Sequence, residues 1–252
     1  MSRRTARGTK MRQVAAGSAP APARERGVLL LSGFEPFGGE RSNPSWEVAA
    51  RLDGRAIGGL VVRAIRLPVS TPRAVRAIEA AIRRIRPQAV LGLGQAGGRP
   101  AISLEKVALN LVERRAGRES DGGTGGAPVI RGGPDAYFAR LPIREILRAL
   151  ERRGIPAALS LSAGAYVCNS VMYAALHALR ARPGVPVGFI HLPYATPQAV
   201  RRRGAPSMTV EMMAAAVEAA AAAIARNLRA AAASRATLSP PRWAARRSRP
   251  AR

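Results

Sequence analysis

The chain of 252 residues holds one cysteine and two histidines, and only 4% of it is aromatic. A single thiol, Cys168, excludes an intramolecular disulfide framework and suits a reducing compartment. With only His177 and His191 beside it, the chain is poorly equipped to ligate a transition metal. The shortage of aromatics leaves no stripe of rings between basic residues on which bases could stack. No apolar run approaches the roughly 20 residues that cross a bilayer, so no membrane partner is expected. Arg3 and Arg4 are followed by no apolar stretch, so neither a secretory nor a twin-arginine signal is expected. The expected compartment is the cytoplasm.

Acids are scarce as well, 15 against 41 lysines and arginines, which gives a net charge of +26. The excess is uneven. Residues 1–26 carry +6 and residues 235–252 another +6, which leaves +14 for the rest of the chain. Those remaining basic groups fall on the polar faces of expected helices, as in "AIEAAIRRIRP". The charge is therefore read as compositional bias and soluble faces, with nucleic acid not the expected partner. Residues 1–26 and 233–252, rich in Pro, Ser and Arg without an apolar period, are expected to be disordered basic tails.

Between the tails, apolar strands alternate with helical patterns. "VLLLS" (28–32), "LVVRAIRL" (60–67) and "QAVLGLG" (88–94) read as buried strands. Asn43-Pro44 and Thr71-Pro72 are helix starts; the second helix carries Val75, Ile78, Ile82 and Ile85 on one face. "AISLEKVALNLV" alternates like an extended segment, and the glycine-rich 117–133 reads as loop. A helix over "IREILRALERRG" ends at Gly154; "PAALSLSA" is a strand, "NSVMYAALHALRAR" a helix and "VPVGFIHLPY" a last strand. An alanine-rich helix over about 209–232 closes one domain spanning 27–232. The alternation predicts an α/β fold, a mainly parallel twisted sheet covered by helices on both faces.

Gly92, Gly94 and Gly97 have the spacing of a dinucleotide fingerprint, but Arg99 and Pro100 follow where a helix must open, so nucleotide binding is not expected. "DGGTGG" lacks the Lys-Ser/Thr ending of a phosphate loop. Cys168 is expected at the carboxyl end of the strand "PAALSLSA", where ligands collect in open parallel sheets, and opens a helix, where free amides and the dipole favour a thiolate. His191 ends another strand, whereas His177 lies deeper in the cysteine's own helix and reads as a helix-face residue. A thiol and an imidazole at one sheet edge suit nucleophilic catalysis; spacing alone leaves open whether Cys168 is instead a small core residue. Glu105, a carboxylate between apolar neighbours, is a candidate to orient the imidazole or to pair with an arginine. Phe34 and Phe37, in the glycine-rich "GFEPFGG", either tuck into the core or form an apolar slot.

With these pieces placed, the chain resembles the pyroglutamyl peptidase I (pyrrolidone-carboxylate peptidase) family of cysteine peptidases. The likeness rests on "SGFEPFGGERSNPSWE", "GQAGGR", "LEKVALN", "GGPDAYF", "AGAYVCN" and "GFIHLPY", in that order. It implies a single-domain α/β/α sandwich of phosphorylase/hydrolase type and removal of N-terminal pyroglutamate from peptides through a thioester. The resemblance makes Cys168 the nucleophile, His191 the base and Glu105 the orienting acid. It puts Phe34 and Phe37 around the pyrrolidone ring, Asn43, Gln95, Tyr166 and Val167 at the pocket, and Arg99 near the oxyanion. It also implies a homotetramer and chemistry that needs no metal or cofactor. Lys106 departs from the arginine usual after the glutamate, and "VERRAGRESDGGTGG" departs from the family wording. Two other readings are a degenerate core whose basic tails serve a nucleic-acid-associated role, and a nucleoside-phosphorylase-like enzyme, which leaves Cys168 unexplained.

Overall fold

The structure, a computed structural model, describes residues 27–113 and 126–238, with side chains to Ser234. In chain order the first elements are β1 (Gly27–Phe34), α1 (Pro44–Leu52), β2 (Ala56–Ile57), β3 (Leu60–Leu67), α2 (Thr71–Ile85), β4 (Ala89–Gln95), β5 (Ile102–Glu105) and β6 (Val107–Leu109). There follow β7 (Ala136–Phe138), α3 (Ile143–Glu151), β8 (Ala157–Ser160), α4 (Val167–Ala178), β9 (Val187–Leu192), β10 (Tyr194–Ala195), α5 (Thr196–Ala199), β11 (Ser207–Met208) and α6 (Val210–Leu238).

The apolar runs become the interior of the sheet. Leu29, Leu30 and Leu31 of β1 lose all contact with solvent, because β1 pairs in parallel with β3 on one side and β4 on the other. The seven-stranded order is β2-β3-β1-β4-β9-β5-β8. Four of its six neighbour pairings are parallel; β2 against β3 and β5 against β9 are antiparallel. One face of the sheet is buried under α1, α3 and α6 through Val48, Leu52, Ile146, Leu150, Val217 and Ile224. The other is buried under α2 and α4 through Ile78, Ile82, Val171, Met172 and Tyr173. This is the expected three-layer α/β/α sandwich.

Local signals account for most element ends. Asn43 Oδ1 accepts from Ser45 N at 3.0 Å and caps α1, with Pro44 at the first turn. α2 starts at Thr71, but its N-cap is Ser70, one residue earlier than the sequence signal implies. Gly154, in the left-handed region, turns the chain out after α3 as expected. The expected extended segment 101–112 breaks at Lys106 into β5, which joins the main sheet, and β6, which pairs with β7. β9 is not the last strand; the short β10 and β11 pair with each other after it. The closing helix runs on to Leu238, so residues 233–238 are helical rather than part of a disordered tail. Ala230–Ala233 propagate a helix well, and the first prolines come only at 240 and 241.

Residues 1–26, 239–252 and the 117–125 part of the expected loop lie outside the described residues. Among those described, no helix is long and apolar enough to cross a membrane.

Candidate active site

Strand register puts the sequence candidates on one side of the sheet. Gly94 of β4 pairs with His191 of β9, and Glu105 of β5 pairs with Phe189 of β9. Paired residues project to the same face, so the Gly94 position, Phe189, His191 and Glu105 all look toward α4. Cys168 is the second residue of α4, half-buried against the same apolar cluster. A Cβ on Gly94 would lie 2.8 Å from Cys168 Sγ and 2.9 Å from Phe189 Cε1. The sulfur is thus seated over the Gly94–His191 pair, with the Phe189 ring (centroid 5.0 Å from that of His191) beside it.

Glu105 joins two partners. His191 Nδ1 and Arg99 Nη1 each lie 2.7 Å from Glu105 Oε1, and the carboxylate has no solvent exposure. Glu105 thus touches both of the partners considered for it, an imidazole and an arginine. Burial pushes the Glu105 carboxyl up, but His191, Ser160 and Arg99 together hold it below its ordinary 4.5. An ionised acceptor at Nδ1 makes that nitrogen the donor, so in the neutral imidazole the lone pair falls on Nε2. Arg99, expected near the oxyanion, has one guanidinium nitrogen engaged with this acid.

Two expectations about Cys168 are corrected. β8 runs antiparallel to β9, so Cys168 does not leave the carboxyl end of a strand aligned with the central ones. The loop 161–166 and the start of α4 bring it to the β4–β9 edge. Nor is the thiol lowered by the helix start. Burial pushes the thiol up to about 12, the Glu105 charge adds to the rise, and Arg99 and a backbone hydrogen bond oppose it. Desolvation outweighs the helix end in the direction of the shift.

The remaining candidates spread around this centre. Phe34 is buried in the apolar cluster that touches Cys168, whereas Phe37 is half-buried in the loop beyond. Asn43 is occupied as a cap, and its Nδ2 donates to Glu35 O at 3.0 Å, which closes the 35–43 loop. Gln95 ends β4, and its Oε1 accepts from Gln198 Nε2 at 3.3 Å. Tyr166 is the N-cap residue of α4 and is 40% exposed; Val167 packs partly buried beside Cys168. Lys106 lies 5.5 Å over the Phe138 ring, away from the Glu105 carboxylate's own partners. His177 is the expected helix-face residue, held by the Tyr137 hydroxyl at 2.9 Å from Nδ1.

The sequence reading missed several supporting residues. Asn169, fully buried, accepts from Leu109 N at 2.8 Å and donates to Leu109 O and Leu111 O, which ties the start of α4 to β6. An asparagine in a first helical turn next to the only cysteine was a signal, since Asn there needs backbone partners to offset its poor propensity. Gln198 links Ala195 N, Ser42 O and Gln95. Glu40 pairs with Arg202, whose guanidinium lies 4.6 Å over the Tyr194 ring, and so anchors the same loop. The three glycines of the false fingerprint are packing residues: Gly92 and Gly94 admit the Phe189 ring, and Gly97 admits Tyr194. Among the described residues, no three His, Cys, Asp or Glu side chains gather as a metal site.

The comparisons with known proteins bear on the family and the fold. The family model described as pyroglutamyl peptidase matches residues 27–227. A pyrrolidone-carboxylate peptidase of Klebsiella pneumoniae (strain 342) is 46% identical over 190 residues, which is 75% of this chain and 89% of that protein. One from Yersinia pestis (strain Pestoides F) is 45% identical over 191 residues, with the same coverage. Among solved structures, pyroglutamyl peptidase I of Bacillus amyloliquefaciens superposes with a TM-score of 0.75 at 36% identity, covering 79% of this chain and 97% of that one. Pyrrolidone carboxyl peptidase of Pyrococcus furiosus gives 0.76 at 39% identity, covering 79% and 99%. A degenerate core that leaves function to the tails finds no support in these matches. The chain belongs to the pyroglutamyl peptidase family.

Proposed function

We propose that this protein is a cysteine peptidase that removes an N-terminal pyroglutamyl residue from peptides, with Cys168 as nucleophile, His191 as general base and acid, and Glu105 as orienter. The observation that carries the reading is the buried 2.7 Å contact between His191 Nδ1 and Glu105 Oε1, on the face of the sheet where the Cys168 sulfur sits. Because Nδ1 donates to the acid, Nε2 is the basic nitrogen. The thiol proton passes to Nε2 as sulfur attacks the carbonyl carbon that follows the ring. Amides at the start of α4 stabilise the oxyanion, and Arg99 acts by keeping Glu105 ionised. The proton on Nε2 then goes to the leaving amine, the C–N bond breaks and a thioester remains. Water attacks the thioester while Nε2 takes its proton; pyroglutamate leaves and the thiol is restored.

A pyroglutamyl end is neutral and cyclic, so its site needs apolar walls rather than a carboxylate for an ammonium group. Phe34 and Phe37 supply those walls, with Asn43, Gln95, Tyr166 and Val167 around them. The steps need no cofactor. The same proposal includes a cytoplasmic setting, which suits a lone unpaired cysteine, and a homotetramer. The edge strand β8 and its surroundings support assembly, since Phe138, Leu159 and Leu161 are 66%, 48% and 72% exposed.

A fluorogenic pyroglutamyl amide tests the reading. The wild-type chain is expected to cleave it, thiol alkylation to stop it and a chelator to leave it unchanged. Cys168→Ala should lower kcat by about 10⁴-fold or more while the circular dichroism spectrum is retained. Full activity in that variant would sink the assignment.

A further inference from the structure

One half of the Glu105 carboxylate is unaccounted for. Oε1 accepts from both Arg99 and His191, whereas Oε2 is buried without a hydrogen-bond partner among the described residues. A carboxylate oxygen taken out of water without a donor is costly, and the cost grows where the local dielectric is low. Directly across the β5–β8 ladder stands Ser160, the register partner of Glu105, with its side chain on the same face. Ser160 Oγ donates to Ser162 O at 3.2 Å, longer than the roughly 2.7–2.8 Å usual for an O–H···O bond. A hydroxyl turns about a single bond, so this weak donation is easily exchanged for a stronger one to a charged acceptor. The charged and titratable groups around Glu105 are Arg99 from the loop after β4, His191 from β9 and Cys168 from α4; of these, Arg99 and His191 reach Oε1.

We propose that Ser160 is a positioning residue of the site: its hydroxyl turns from Ser162 O to Glu105 Oε2 and holds the carboxylate that orients His191 while the imidazole carries the thiol proton. The serine keeps its own proton throughout; only the direction of donation changes. The inference rests on the reading of Cys168, His191 and Glu105 as the working groups.

The test uses the full chain with Ser160→Ala and Ser160→Thr, and reads the pH profile of amide cleavage together with kcat and KM. Ser160→Ala is expected to lower kcat by about tenfold, the worth of one hydrogen bond to a charged group, with KM nearly unchanged. The acid limb should move to higher pH, because a carboxylate short of a donor is more basic and raises the imidazole with it. Ser160→Thr, which keeps the hydroxyl, should retain the wild-type limb. A second readout needs no turnover: the midpoint of the pH dependence of Cys168 alkylation by iodoacetamide should rise in Ser160→Ala, since a less satisfied carboxylate presses harder on the thiol. If Ser160→Ala does not fold, Ser160→Val against Ser160→Thr carries the same comparison with equal side-chain volume. Unchanged pH limbs and alkylation midpoints, or a threonine variant that behaves like alanine, would overturn the proposal. A wild-type chain that leaves the pyroglutamyl amide intact sinks the function proposed above, and the alkylation midpoints then decide the role of Ser160 by themselves.

Discussion

The two halves of the sheet differ in what they carry. β3, β1, β4 and β9 run in one direction, and their interior is almost wholly apolar: Leu29, Leu31, Val62, Leu91 and Leu93 are without exposure. β5 and β8 run the other way; one ends in the fully buried Glu105, and the other shows Leu159 to solvent. The imidazole comes from the last strand of the first half and the acid from the first strand of the second. They meet at the seam where direction reverses. Strands of opposite sense can bring residues from distant parts of the chain to one height, so the seam is where polar groups converge while the uniform half supplies rigidity.

That contrast can be broken or sharpened by experiment. The largest effect is expected at the seam: Glu105→Gln should lower kcat by about 10²–10⁴-fold, the range seen when an orienting acid is neutralised. Leu91→Ala, in the uniform half, should leave kcat nearly intact below its unfolding temperature while costing about 2–5 kcal/mol of stability, read by urea unfolding. Equal losses of kcat in the two variants would erase the distinction.

A smaller effect concerns acid stability. The Glu105 carboxyl lies below its ordinary 4.5 in the folded chain, so its contribution is present above that pH and is lost as pH falls through the lowered value. The urea midpoint of the wild-type chain should therefore drop from pH 7 toward pH 3 more steeply than that of Glu105→Gln. Parallel curves would show that the pair with His191 and Arg99 adds nothing to acid stability. The smallest change in folding energy is expected at the exposed edge. Leu161→Glu should alter stability by no more than about 0.5 kcal/mol yet lower the assembled mass measured by sedimentation, if β8 meets another copy.

How much of this was legible depended on range. Cys168, His191 and Glu105 stood out because the chain has so few thiols, imidazoles and acids, and an acid inside an apolar segment demands a partner. The strand GVLLLSGF and the Asn43-Pro44 start were equally plain, since burial pattern and capping act over a few residues. The direction of β8 was not, because no window of sequence reports which neighbour a strand will choose. The upward shift of the Cys168 thiol is not legible for a related reason: helix position is local, but the burial that dominates the shift comes from the assembled fold. Ser160 and Asn169 acquire meaning only from partners brought to them by folding.

By itself the sequence determined the layers, the helix starts, the buried strands and the inventory of reactive groups, because hydrophobic period, capping and composition are properties of neighbouring residues. Only the tertiary structure decided that β5 turns against β9 and places an acid 86 positions away on His191, and that burial pushes the thiol up. Pairing and desolvation depend on the whole assembly of chain segments, and no short stretch contains them.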